Sequence, residues 1–98
     1  MMITKEEAYH KIKSYLDKNI NYSSIDSVDK IALTLKDEMA YPIAYGKYKG
    51  EKINYYAISY GEIWGMEERS MGILIHAKSG EILYIITPHG YLDIDEEE

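Results

Sequence analysis

Two segments of this chain are apolar on both sides of a strand, yet only one segment carries the pattern of a helix. In Lys52–Tyr60, alternation puts Ile53, Tyr55 and Ala57 on one side and Tyr56, Ile58 and Tyr60 on the other. In Glu81–Thr87, Ile82, Tyr84 and Ile86 oppose Leu83 and Ile85. Strands of this kind are buried on both faces and belong in the middle of a sheet. A single helix covers only one face. The other must be closed by a loop, by another subunit or by a partner, because monomers rarely leave large apolar patches open.

The helix is at the N-terminus. Thr4-Lys5-Glu6-Glu7 has the form of a capping box, with Ile3 and Ala8 at the staple positions. Ala8, Ile12, Tyr15 and Leu16 follow helical spacing, while Lys11, Lys13, Asp17 and Lys18 take the wet side. Asn19-Ile20-Asn21 ends the pattern, so the helix is predicted over residues 4–19. Tyr22–Asp29 reads as a loop, and from there the period becomes two. Strands are predicted over 30–36, 43–49, 52–60, 71–77 and 81–87, with hairpin connections at Lys49-Gly50-Glu51 and Lys78-Ser79-Gly80. Gly61–Ser70 reads as a charged connection holding the only Trp and the only Arg. Pro88-His89-Gly90 stops the last strand, Tyr91–Ile94 adds a short extended piece, and 93–98 is an acidic tail. The expected architecture is α+β: one domain over residues 1–98, its helix packed on one face of an antiparallel sheet of about five strands.

Several classes of chemistry have no support. There is no cysteine, which excludes disulfides, thiolate zinc sites and cysteine nucleophiles. His10, His76 and His89 lack the close spacing of a zinc motif, so no metal is expected. There is no G-x-S-x-G, and Ser70 and Ser79 sit in polar connections. The seven glycines form neither a P-loop nor a dinucleotide fingerprint. The adjacent carboxylates Glu67 and Glu68 read as solvated. No catalytic residue, no cofactor and no enzymatic activity are expected. No apolar run approaches the roughly 20 residues of a membrane span, and the polar N-terminus lacks a signal-peptide core. A cytoplasmic location follows as the expectation.

Charge is one-sided. Residues 61–98 hold nine acids against two bases, a net −7 in a chain whose total is −6. Such a field attracts a basic surface and repels nucleic acid and anionic membrane. Eleven Tyr and no Phe fit two readings. Tyr is enriched at protein interfaces, and it also favours strands. The residues that combine both signals are Glu62, Trp64, Glu67, Glu68, Tyr91, Asp93, Asp95 and Glu96, with Tyr56 and Tyr60 on the two-sided strand. Trp64 reads either as an aromatic anchor ringed by carboxylates or as a plug for the end of the core.

The opening helix TKEEAYHKIKSYL, the middle Trp, and the closing hairpin GILIHAKSGEILYI with its acidic end resemble small immunity proteins of bacterial polymorphic toxin systems. Immunity protein 35 is similar in size and order of elements. The segment IHAKSGEIL also resembles the closing hairpin of PepSY-type domains. The first resemblance implies an inhibitor that binds a cognate toxin, a nuclease being one candidate because its site must attract phosphate. It carries over no functional residue. Two alternatives stand beside it: a self-associating structural or adaptor module that forms a homodimer, and a small ligand-binding domain of PepSY-like type.

Overall fold

The computed structural model describes residues 2–19, 22–88 and 90–93, with 19, 64 and 91–93 described by their backbone only. Of the acidic tail, residues 94–98 lie outside this range.

Helix α1 spans Lys5–Asn19. Its start is set by local chemistry. The Glu7 N–H donates to Thr4 Oγ1 at 3.1 Å, and the Thr4 N–H donates to Glu7 Oε1 at 2.8 Å. This is the expected capping box, and it satisfies donors that the first helical turn leaves open. Ala8, Ile12 and Leu16, four residues apart, are fully buried against the sheet. Two bonds fasten the segment before the helix: Ile3 N–H to the Ala77 carbonyl at 2.7 Å, and the Tyr56 hydroxyl to the Ile3 carbonyl at 2.8 Å.

The strands are β1 (Ser24–Ile25), β2 (Ala32–Thr34), β3 (Tyr55–Trp64), β4 (Glu67–His76), β5 (Ile82–Thr87) and β6 (Gly90–Asp93). They form one antiparallel sheet of order β1-β3-β4-β5-β6, with β2 beside β1 on the outer edge of β3. The architecture is α+β, with α1 packed on one face of the sheet.

The phase expected for β3 holds. Tyr56, Ile58 and Tyr60 join the core beneath α1, while Ile53, Tyr55 and Ala57 pack on the second face. The phase expected for β5 does not hold. The register between β4 and β5 shifts at Leu74/Ile75. Ile82 and Ile85 pack on the α1 side, and Leu83 and Tyr84 both join the second cluster. An extra residue in one strand breaks the two-residue period, which no alternation count anticipates.

Two further sequence expectations are corrected. Gly61–Ser70 is not a connection. It is the middle of one long hairpin in which Trp64 pairs with Glu67 across Gly65-Met66. Gly65 takes φ +67°, as a two-residue hairpin turn with glycine first requires. Nor is 43–49 a strand. The chain folds on itself, with Ile43 N–H to the Glu51 carbonyl and Gly50 N–H to the Ile43 carbonyl, both 2.9 Å. Gly46 and Gly50 take φ near +90°, which suits glycine. The lane this segment would need beside β3 is held by β2, where Thr34 pairs with Tyr55.

The segment 39–54 instead covers part of the second face. Ile43 is buried with Leu74, Leu83 and Tyr84, and Met39, Tyr45, Tyr48 and Ile53 pack around them. A loop of the same chain therefore closes the end of that face near the start of β3. Glu81 helps hold the loop down. Its carboxylate accepts from the Tyr48 hydroxyl and pairs with Lys47 Nζ at 2.9 Å. The Tyr48 bond first, then Lys47, holds the Glu81 carboxyl below its ordinary 4.5. A depressed carboxyl contributes stability that is present above 4.5 and lost as pH falls through the folded value. Glu81→Gln is therefore expected to lower the melting temperature at pH 7 and to flatten its decline as pH falls through and below 4.5. A variant curve parallel to the native one over that range would contradict this role.

Candidate functional site

The hairpin β3–β4 outruns its neighbours. β1 pairs with β3 no further than Gly61, and β5 pairs with β4 only from Gly72 onward. Residues 62–71 thus form a two-stranded ribbon among the described residues. At about 3.4 Å per residue, it extends roughly 10 Å beyond β1 and 17 Å beyond β5.

The ribbon has two unlike faces. On the α1 side the register stacks Tyr60–Met71, Glu62–Arg69 and Trp64–Glu67. Arg69 Nη2 lies 2.9 Å from Glu67 Oε1, and the Tyr60 hydroxyl donates to Glu62 Oε2 at 3.5 Å. Burial first, and then the Glu62 carboxylate, push the Tyr60 hydroxyl far above its ordinary 10.0. It therefore stays protonated and acts as a donor. The Trp64 side chain lies outside the described residues, so only its strand position enters here.

The other face carries Ile63, 58% exposed, and Glu68. Glu68 does not reach outward. It folds back over Gly61, where its Oε2 accepts from Ser23 Oγ at 2.6 Å and Ser24 Oγ at 2.8 Å. These two bonds hold its carboxyl below the ordinary 4.5. A Cβ on Gly61 would sit 2.5 Å from that oxygen and 2.9 Å from Ser24 Oγ. Gly61 is thus the gap through which Glu68 braces β1 to β4 across β3. Gly61→Ala is expected to dislodge the brace and speed hydrogen exchange of the Ser23 amide severalfold. Exchange at the native rate would show that β1 does not depend on it. At the turn, Met66 is fully exposed.

The expected constellation is gathered only in part. Glu62, Trp64, Glu67 and Glu68 share the ribbon. Tyr91 pairs with Ile86 and Asp93 with Tyr84, so β6 runs away from the ribbon tip. Asp93 stands level with Leu74, which is about 24 Å along the strand from Glu67 at 3.4 Å per residue. Asp95 and Glu96 lie outside the described residues. Tyr56 and Tyr60 are 6% and 3% exposed beneath α1, which removes them from any docking surface. Even-numbered positions of β3 face the helix, and that assignment needed the helix to be placed.

No metal-holding group of three His, Asp or Glu residues occurs among the described residues. His76 Nδ1 accepts the backbone N–H of Lys78 at 3.1 Å, so this histidine caps the β4–β5 turn. No helix among the described residues is long and apolar enough to cross a membrane. Ile63, Met66, Ser23 and Ser24 were not anticipated. The local signal for the first two was Gly65, a turn-forming residue between the flanking segments 60–64 and 67–71. The chain was compared with protein-family models, curated proteins and solved structures, and none of the three gave a match.

Proposed function

We propose that this chain is an immunity-type inhibitor that binds a basic protein domain, a bacterial toxin such as a nuclease, and covers its positive site. The observation that carries this reading is the ribbon. It stands clear of the flanking strands and offers the carboxylates of Glu62 and Glu67 on one face, the exposed Ile63 on the other and the exposed Met66 at the tip. Exposed apolar groups supply contact area, and carboxylates supply steering and register. The role requires no catalytic group and no cofactor.

Co-expression with the C-terminal domain of the adjoining reading frame tests the proposal. The expected result is restored growth and a 1:1 complex in size-exclusion chromatography with light scattering. Continued toxicity with no complex overturns it.

A second reading rests on the part of the sheet face that the 39–54 loop leaves bare. Ile63 and Ile86, 58% and 40% exposed, flank Ser59, Ser70 and Gly72 there. Self-association through this patch would appear in the same light-scattering experiment as a concentration-dependent dimer of the chain alone.

A further inference from the structure

The two edges of the sheet are built differently. One edge is divided between β1, two residues long, and β2, three residues long, with a 3₁₀ turn at Val28–Lys30 between them. Short, interrupted strands are a common way to blunt an edge. The other edge is β6, four continuous residues with neither proline nor lysine.

The hydrogen-bonding phase of β6 follows from its turn. Thr87 pairs with Gly90 across the two residues Pro88-His89. The pair closing a two-residue hairpin is hydrogen-bonded, and pairs then alternate. Gly90 and Leu92 therefore turn their N–H and C=O groups toward Thr87 and Ile85 of β5. Tyr91 and Asp93 turn theirs outward. The same alternation holds on the far edge. There the outward Gly61 and Ser59 carbonyls accept from Ser23 N–H at 2.7 Å and Asp26 N–H at 3.1 Å. On β6 the outward side is the end of the sheet: no described strand pairs with it there.

We propose that β6 accepts a further strand: an extended basic segment of the partner, paired through the main chain of Tyr91 and Asp93. The occupant is basic because Asp93 lies in the strand itself and the sequence from 93 to 98 holds five acids and no base. That like charge also opposes a second copy of this chain at the same edge. An added strand gains affinity from main-chain bonds and specificity from alternate side chains. This inference refines the inhibitor reading by stating how a basic partner engages, but its test does not need the toxin.

The probe is an eight-residue peptide of alternating lysine and threonine. Its addition to the full chain is expected to slow amide exchange at Tyr91 and Asp93 at least tenfold while leaving Gly90 and Leu92 unchanged. Methylating every second backbone nitrogen of the peptide, on the pairing side, is expected to weaken binding at least tenfold. Tyr91→Pro, which deletes an outward N–H and no bond to β5, is expected to do the same. Equal binding of the methylated peptide would overturn the proposal, because only charge would then be read. Protection of the same two amides by concentration alone would also overturn it, in favour of a homodimer. If strand addition succeeds and toxin rescue fails, the inhibitor reading falls and the edge assignment stands. The reverse pair of results removes the edge and keeps the inhibitor.

Discussion

Ile73→Ala is expected to cost about 2–5 kcal/mol, the range for removing a large aliphatic side chain from a packed core. Ile73 has no exposed surface. It sits in the centre of β4, paired with Ile58 on one side and Ile85 on the other, beneath α1. Its neighbours come from three elements whose own packing resists collapse into the hole, so the loss falls in the upper part of the range. A domain has about 5–15 kcal/mol in total, so this one change removes a large share. Urea titration followed by tyrosine fluorescence should show the midpoint falling with the slope unchanged. Ile63→Ala is the matched control. The same atoms are removed from a side chain 58% exposed on the ribbon, and the expected cost is under about 0.5 kcal/mol. Equal losses at the two positions would mean that the sheet does not bury Ile73 as described.

The second large effect concerns association. Glu62→Lys combined with Glu67→Lys is expected to slow binding to a basic toxin domain by about 10–100-fold at low ionic strength, within the range of electrostatic steering. The difference should shrink toward nothing near 1 M salt, where the screening length is only about 3 Å. Glu68 is left alone because its carboxylate ties β1 to the hairpin through Ser23 and Ser24, so reversing it would disturb β1 as well as the field, whereas Glu62 and Glu67 meet Tyr60 and Arg69 within the hairpin itself. The control carries the same change in charge to the opposite end: Asp37→Lys with Glu51→Lys. These residues lie near Asn54, which accepts the Lys36 N–H at 2.7 Å and precedes β3. Stopped-flow association rates that fall equally for both double variants would show that net charge matters and the ribbon does not.

What could be read along the chain was what depends on near neighbours. The capping box at Thr4 and Glu7 is closed within four residues, and the stripe of Ala8, Ile12 and Leu16 follows from helical pitch. The two-sided character of β3 was visible for the same reason, since alternation is a property of the strand itself. The ribbon was missed because its glycines and charges look like a connection. They are compatible with a strand there because both faces meet water and Gly65 supplies the positive φ of the turn. Gly61 opens the segment that reads as a connection. It is a clearance for the Glu68 carboxylate, and Glu68 is seven positions away in sequence.

The sequence by itself thus determined the helix, the antiparallel character of the sheet, the two-sided apolar strands and the acidic bias of the final third. Tertiary structure alone decided how the second face is closed, which tyrosines are core, and which acids stand together. A strand exists only where a neighbouring lane is free, and β2 holds the lane that 43–49 would have needed. The bulge between β4 and β5 changed which residues face the helix, and no local pattern encodes a bulge. The acidic third divides for a similar reason. Hairpin reversal carries β6 back from the ribbon tip, so Glu67 and Asp93, alike in charge and both in the final third of the chain, occupy different parts of the sheet. Charge is written into the chain residue by residue, but the direction in which a field points is set by strand order and register.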